Sequence, residues 1–147
     1  MIMAQLKLEE GLCNCLALRQ ASRHITAFYD QVLAGSGLRV TQFSILYKLA
    51  RGGGVTINEL SEVMVMDRTT LARNLKPLER EDLVHVIAGE DRRERVVDLT
   101  ENGLIKIKEL LPLWRKAQRQ FETSFGPERA KELRGTLRAV VSSDMTA

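Results

Sequence analysis

The sequence predicts a mainly α-helical chain with one small β-hairpin, and three observations predict it. Apolar residues recur at helical spacing through most of the 147 residues. Two short helical stretches meet at an aspartate, Asp67, placed as a helix cap. Beyond them, two runs rich in Val, Ile and Leu flank the polar connection Gly89-Glu90-Asp91-Arg92-Arg93-Glu94, which reads as a hairpin with a projecting loop.

In chain order, Leu8, Leu12, Cys15, Leu16, Ile25, Phe28, Tyr29, Val32 and Leu33 trace one apolar stripe, and Gly35-Ser36-Gly37 stops that helix. Thr41 to Arg51 forms the next, through Phe43, Leu46, Tyr47 and Leu49, and Gly52-Gly53-Gly54 turns the chain into a first strand. Thr56 and Asn58 offer caps for a short helix whose Leu60, Val63 and Met64 share a face. After Asp67, Leu71, Leu75 and Leu78 repeat at helical spacing, and Pro77 is expected to bend the last turn. Leu83 to Ala88 and Arg95 to Leu99 are the hairpin strands. Thr100 caps a long helix with Leu104, Ile107, Leu111, Trp114, Phe121 and Phe125 along one side, until Gly126-Pro127 breaks it. The last helix carries a sparse stripe, Leu133, Leu137, Val140 and Val141, with Arg and Lys between, as suits a two-chain seam better than a globular centre.

Two short helices followed by a hairpin make a winged helix-turn-helix, an arrangement that binds double-stranded DNA. Arg68, Thr69, Thr70 and Arg73 lie toward the N-terminal end of the second helix, the end that enters a major groove, with Asn74 and Lys76 beside them and Thr56 opening the helix before. Glu79, Glu81 and Asp82 collect at the opposite end. At the hairpin, Asp91, Arg92, Arg93 and Arg95 form a wing whose arginines suit a narrow minor groove. Bulk charge adds little: the net charge is +3, and residues 66–95 hold as many acids as bases, so placement carries the argument. Helices at both ends leave apolar stripes that one chain cannot cover, which predicts a homodimer reading two half-sites.

Asp67-Arg68-Thr69-Thr70-Leu71, Leu78-Glu79-Arg80, Leu83-Val84, Asp91-Arg92-Arg93 and Val97-Asp98-Leu99-Thr100-Glu101-Asn102-Gly103 together resemble the MarR family of bacterial transcription regulators. Asp82 stands where that family usually has glycine, and aspartate tolerates the left-handed conformation better than most residues. The resemblance implies a winged helix-turn-helix DNA-binding domain at residues 37–100 and a helical dimerisation domain built from residues 1–36 and 101–147. It also implies a repressor of a pseudo-palindromic operator. Cys15-Leu16-Ala17-Leu18, Ala21-Ser22-Arg23-His24-Ile25-Thr26 and Tyr29 are similar to the first helix of the family's organic-hydroperoxide sensors, which makes Cys15 the peroxidatic thiol and Tyr29 its partner. Arg19 and Val40 stand where further tyrosines would complete that site, and Cys13 is the remaining candidate for a resolving thiol. Arg19, at i+4 from Cys15, favours a thiolate if it reaches back. The bland reading keeps Cys15 as a small packed residue on the stripe. Without a thiol switch, the resemblance implies a small aromatic or anionic effector near Phe28, Tyr29, Phe43 and Tyr47.

Several classes are excluded. Cys13-Asn14-Cys15 with only His24 and His85 does not supply a zinc site, and cysteines at i, i+2 on a helix point about 200° apart, too divergent for a disulfide. No phosphate-binding glycine loop, paired carboxylates or nucleophile with a base at motif spacing marks an enzyme, so no metal or cofactor is expected. The start, Met1 to Glu10, lacks a signal-peptide core, and no run of about 18 apolar residues occurs, so a cytoplasmic protein without a membrane span is expected. An unregulated architectural DNA-binding protein and a helical interaction module are the competing readings.

Overall fold

The computed structural model describes residues 11–147. Helix α1 (Asn14–Leu33) passes through a 3-10 turn at Ala34–Ser36 to α2 (Val40–Gly52). A short strand β1 (Val55–Thr56), helices α3 (Ile57–Met64) and α4 (Arg68–Arg80), and the hairpin of β2 (Val84–Ala88) and β3 (Arg95–Leu99) follow. Helices α5 (Glu101–Phe125) and α6 (Pro127–Ser142) complete the described chain. The mainly helical class with a small wing is therefore the observed one.

Side-chain caps start the helices around the helix-turn-helix. Thr56 Oγ1 accepts from Glu59 N at 3.1 Å while Glu59 Oε2 accepts from Thr56 N at 2.9 Å, a reciprocal pair that satisfies two otherwise orphaned donors of α3. Asp67 caps α4 and Thr100 caps α5 from one side, accepting from Thr70 N and Gly103 N without a return bond. Both α3 and α4 then end in one hydrogen-bond pattern. Met66 N donates to Ser61 O and Val65 N to Glu62 O; likewise Leu83 N donates to Leu78 O and Asp82 N to Glu79 O. These are Schellman closures, which require a left-handed residue, here Val65 at φ 52° and Asp82 at φ 55°. Aspartate at position 82 was legible as a turn residue. Valine at 65 was not.

The sheet is antiparallel in the order β1-β3-β2, and Val97 of β3 faces Val55 on one side and Val86 on the other. Val97 is fully buried and joins Leu46, Leu49, Leu60, Leu71, Leu75, Leu78 and Val84 in one core, which Leu33, Ile107 and Leu110 extend to the outer helices. Each such side chain contributes about 1.5–3 kcal/mol through removal from water.

Several expected core positions face outward. Val63 is 55% exposed and Leu104 43% exposed, and Tyr47 also stays accessible. The reason is tertiary: α3 docks through Leu60 with Met64 half-buried, and α5 docks through Gly103, Ile107, Leu110 and Ala117, which turns Leu104 about 100° away from that contact line. Helix α1 begins only at Asn14, so Leu12 precedes it, and Leu12, Cys15 and Leu16 lie exposed in the single chain; Leu8 falls outside the described residues. On α6, Ala130 is the buried residue, while Leu137 and Val141 are exposed. Pro77 sits inside α4, which continues beyond it to Arg80.

Gly103 sets the tightest packing. A Cβ there would lie 2.1 Å from the Leu83 carbonyl oxygen and 2.7 Å from Leu99 Cδ1. Gly103→Ala is expected to lower stability by about 3 kcal/mol through forced displacement of backbone, read as an earlier midpoint in urea unfolding.

Candidate nucleic-acid interface

Helix α4 buries Leu71, Leu75 and Leu78 and turns Arg68, Thr69, Arg73 and Lys76 to solvent. Its N-terminus is closed by Asp67, whose carboxylate accepts from Thr70 N at 2.8 Å and from the Thr70 hydroxyl at 2.8 Å. These bonds, the backbone one first, hold the Asp67 carboxyl below the ordinary carboxylate range. Thr70 is thereby committed to the cap. Asn74 donates from Nδ2 to the Thr70 carbonyl at 2.9 Å and is half-buried, and Thr56 is used as the cap of α3. Of the expected helix contacts, Thr56, Thr70 and Asn74 therefore hold the scaffold, and Thr69, Arg73 and Lys76 stand free. Arg68 does both: its guanidinium donates to Asn58 Oδ1 on α3 while the residue stays exposed, a tie that the sequence reading missed because it joins two helices.

At the wing, the chain reverses between Gly89 N and Glu94 O, 3.0 Å apart. Asp91 shapes that reversal, since its Oδ1 accepts from Arg93 N at 3.0 Å and its carbonyl accepts from Glu94 N at 2.9 Å. Arg92, Arg93 and Arg95 are exposed, and among the described residues none of them takes part in an ion pair. A guanidinium that no carboxylate neutralises is available to phosphate or to a minor groove.

The sensing candidates do not converge within one chain. Cys13 is not on a helix: it is the N-cap of α1, with its sulfur accepting from Leu16 N at 3.4 Å, so the helical geometry expected for the Cys13/Cys15 pair does not apply. Both cysteines are exposed, as is Arg19. Tyr29 lies on the same straight element as Cys15 but fourteen residues on, about 21 Å along the axis, so the two cannot meet in one chain. Its hydroxyl donates instead to Gln118 Oε1 of α5. Burial pushes the Tyr29 phenol up, Glu122 adds to this, and Arg134, paired with Glu122 at 3.3 Å, opposes both.

The four expected aromatic residues likewise divide. Phe43 and Tyr47 stack at 6.0 Å, and Phe43 also meets Trp114 at 6.0 Å. Phe28 instead lines an open groove of about 980 Å³ between α1 and α5, with His24, Ile25, Arg119, Phe121 and Phe125. Among the described residues, no group of three His, Cys, Asp or Glu side chains could hold a metal ion, and no helix is long and apolar enough to cross a membrane.

A capped helix with free cations on its N-terminal face, beside a wing with unpaired arginines, defines the class: a winged helix-turn-helix regulator that binds DNA. The sequence profile described as MarR family matches residues 36–94. The organic hydroperoxide resistance transcriptional regulator of Bacillus subtilis is 30% identical over 101 residues, which are 68% of this chain and 67% of that protein. The M. tuberculosis transcriptional regulator MosR, solved in complex with DNA, is 35% identical, with 87% of this chain and 96% of that chain covered and a TM-score of 0.76. Bordetella bronchiseptica BpsR, solved to explain regulation of its DNA binding by 6-hydroxynicotinic acid, shares the fold at a TM-score of 0.80 and 23% identity over 89% of this chain and 94% of that one. The chain belongs to the MarR family of transcriptional regulators, which are DNA-binding proteins and not enzymes.

Because the Asp67 carboxyl titrates below its unfolded value, its cap contributes fully above the unfolded pKa and is lost as pH falls through the lower, folded one. Asp67→Ala is expected to reduce the thermal midpoint at neutral pH, and the gap between parent and variant should close under acid conditions. Thermal melts followed by circular dichroism across that range check it; a constant gap would show that the charge is not what the cap supplies.

Proposed function

We propose that the chain is a cytoplasmic repressor that binds a pseudo-palindromic operator as a homodimer and is released by thiol oxidation or by a small aromatic or anionic ligand. The observation that carries the DNA part is the set of unpaired cations on α4 and the wing, Arg73, Lys76, Arg92, Arg93 and Arg95. The dimer reading, with residues 1–36 and 101–147 as the dimerisation domain and 37–100 as the DNA-binding domain, is supported by exposed apolar residues on the outer helices. These are Leu16 and Leu18 on α1, Leu104 and Ile105 on α5, and Leu137 and Val141 on α6. Two-fold pairing would set two α4 helices about one DNA turn apart.

For the trigger, the exposure of Cys13 and Cys15 at the start of α1 and the 30% identity to a hydroperoxide-resistance regulator favour the thiol. A Cys15 thiolate would attack the outer oxygen of an organic hydroperoxide; sulfur is oxidised to the sulfenic acid as the O–O bond breaks, and the peroxide leaves as its alcohol. Since Tyr29 lies too far along α1 to meet Cys15 of the same chain, a Tyr29 beside that sulfur would come from the second copy. The ligand reading rests on the groove at Phe28, where Arg119 adds a cation to an aromatic wall.

The test uses a duplex selected by the parent protein from a random-sequence pool and a scrambled duplex of the same composition, at fixed salt. Arg93→Ala is expected to weaken both about tenfold by removing a backbone or minor-groove contact, and Arg73→Ala to erode the preference between them by about 1–3 kcal/mol if it reads a base edge. Sedimentation equilibrium of the same proteins should return twice the chain mass. Equal affinity of the parent for both duplexes would favour the architectural reading, and unchanged binding by Arg93→Ala would remove the wing from the mechanism.

Adding an organic hydroperoxide should dissociate the operator complexes of the parent and of Cys13→Ser, while Cys15→Ser should resist, as read by anisotropy. Identical behaviour of all three proteins would return the trigger to a small ligand.

A further inference from the structure

The C-terminal end of α4 is tied to the first turn of α5 by a closed run of hydrogen bonds. The Thr100 hydroxyl donates to the Asp82 carbonyl at 2.6 Å and accepts from Gly103 N at 2.9 Å. Thr100 N donates to the Leu83 carbonyl at 3.1 Å, the same oxygen that excludes a side chain at Gly103. The Asp82 side chain adds a link that the backbone does not need: its Oδ2 accepts from Asn102 Nδ2 at 2.9 Å. Asp82 holds φ 55°, a conformation that glycine adopts without cost and aspartate does not. An aspartate kept there pays in backbone conformation for a side-chain bond across to α5.

We propose that Asp82 is a positioning residue for DNA reading, and that its bond to Asn102 fixes the angle between the recognition helix α4 and the long helix α5. Asp82 and Asn102 act through the placement of Arg73 and Lys76, which lie on the helix whose closing turn holds Asp82. The carboxylate also sits at the N-terminal end of α5, where the helix dipole favours a negative charge. Loss of the link leaves the backbone bonds of Thr100 in place, so α4 remains folded but turns more freely against α5. Sequence preference then falls, because base contacts depend on orientation, whereas attraction to phosphate does not. This inference rests on the reading of the chain as a sequence-specific operator binder.

The experiment compares Asp82→Gly, Asp82→Asn, Asn102→Ala and the double variant Asp82→Gly/Asn102→Ala, titrated on the selected and the scrambled duplex. Asp82→Gly and Asn102→Ala should each reduce the ratio of the two affinities about three- to tenfold, the span expected for one lost hydrogen bond, and the double variant no further than either. Asp82→Asn should restore the ratio, since asparagine tolerates the left-handed conformation and its Oδ1 still accepts from Asn102. Asp82→Gly should keep its thermal midpoint, because relief of the backbone offsets the lost bond, which separates positioning from stability. A ratio in Asp82→Gly equal to that of the parent, or a loss in Asp82→Asn as large as in Asp82→Gly, overturns the proposal while leaving operator reading intact. A parent that prefers neither duplex overturns operator reading, and the positioning role with it.

Discussion

The close approach of Gly103 to the Leu83 carbonyl is the constraint on which the arrangement of the two halves depends. With any side chain at 103, the first turn of α5 could not lie against the turn between α4 and β2, and Thr100 could not serve both as the cap of α5 and as the donor to Asp82. That contact fixes where α5 starts. Since α5 runs for 25 residues, about 37 Å, a small angular change at its base becomes a displacement of several ångströms at its far end.

Polar side chains in the helix-turn-helix fall into two groups, and hydrogen-bond satisfaction sorts them. Helix N-termini leave donors without partners, and Thr56, Asp67 and Thr100 are consumed in filling them, while the Thr70 hydroxyl donates to the Asp67 carboxylate and holds that cap in place. The long cations cannot serve there, because they carry no acceptor. Arg73, Lys76, Arg92, Arg93 and Arg95 are thus left over by the folding chemistry itself, on a scaffold stiffened by the caps beside them. A net charge of +3 understates this local concentration, since five cations outside any ion pair project from two adjoining elements.

What the sequence made legible was local. Caps at Thr56, Asp67 and Thr100, the stop at Gly126-Pro127 and the hairpin between two Val-rich runs depend on neighbours within a few residues, and the structure has them where the residues signal them. Facing direction was less legible, because an apolar residue at helical spacing meets the core only if its helix docks by that side. Leu104 and Val63 lose to Gly103 and Leu60 for this reason. Long-range pairings were not legible at all: nothing near Tyr29 announces Gln118, which lies 89 residues away, and nothing near Asp82 announces Asn102. The Cys13 sulfur occupies an N-cap position usually held by an oxygen, so the sequence extended α1 past its true start.

The two Schellman closures divide the labour of holding α4. Its leading turn passes through Val65, a β-branched residue held at φ 52° and 68% exposed, a conformation that costs on the order of 1–3 kcal/mol and that no side-chain bond offsets. Its trailing turn passes through Asp82, where aspartate bears a smaller cost than valine and the Asn102 and Thr100 bonds offset it. Helix α4 is therefore yoked to α5 at one end and joined to α3 by a strained turn at the other, with Arg68 bridging to Asn58 across that turn.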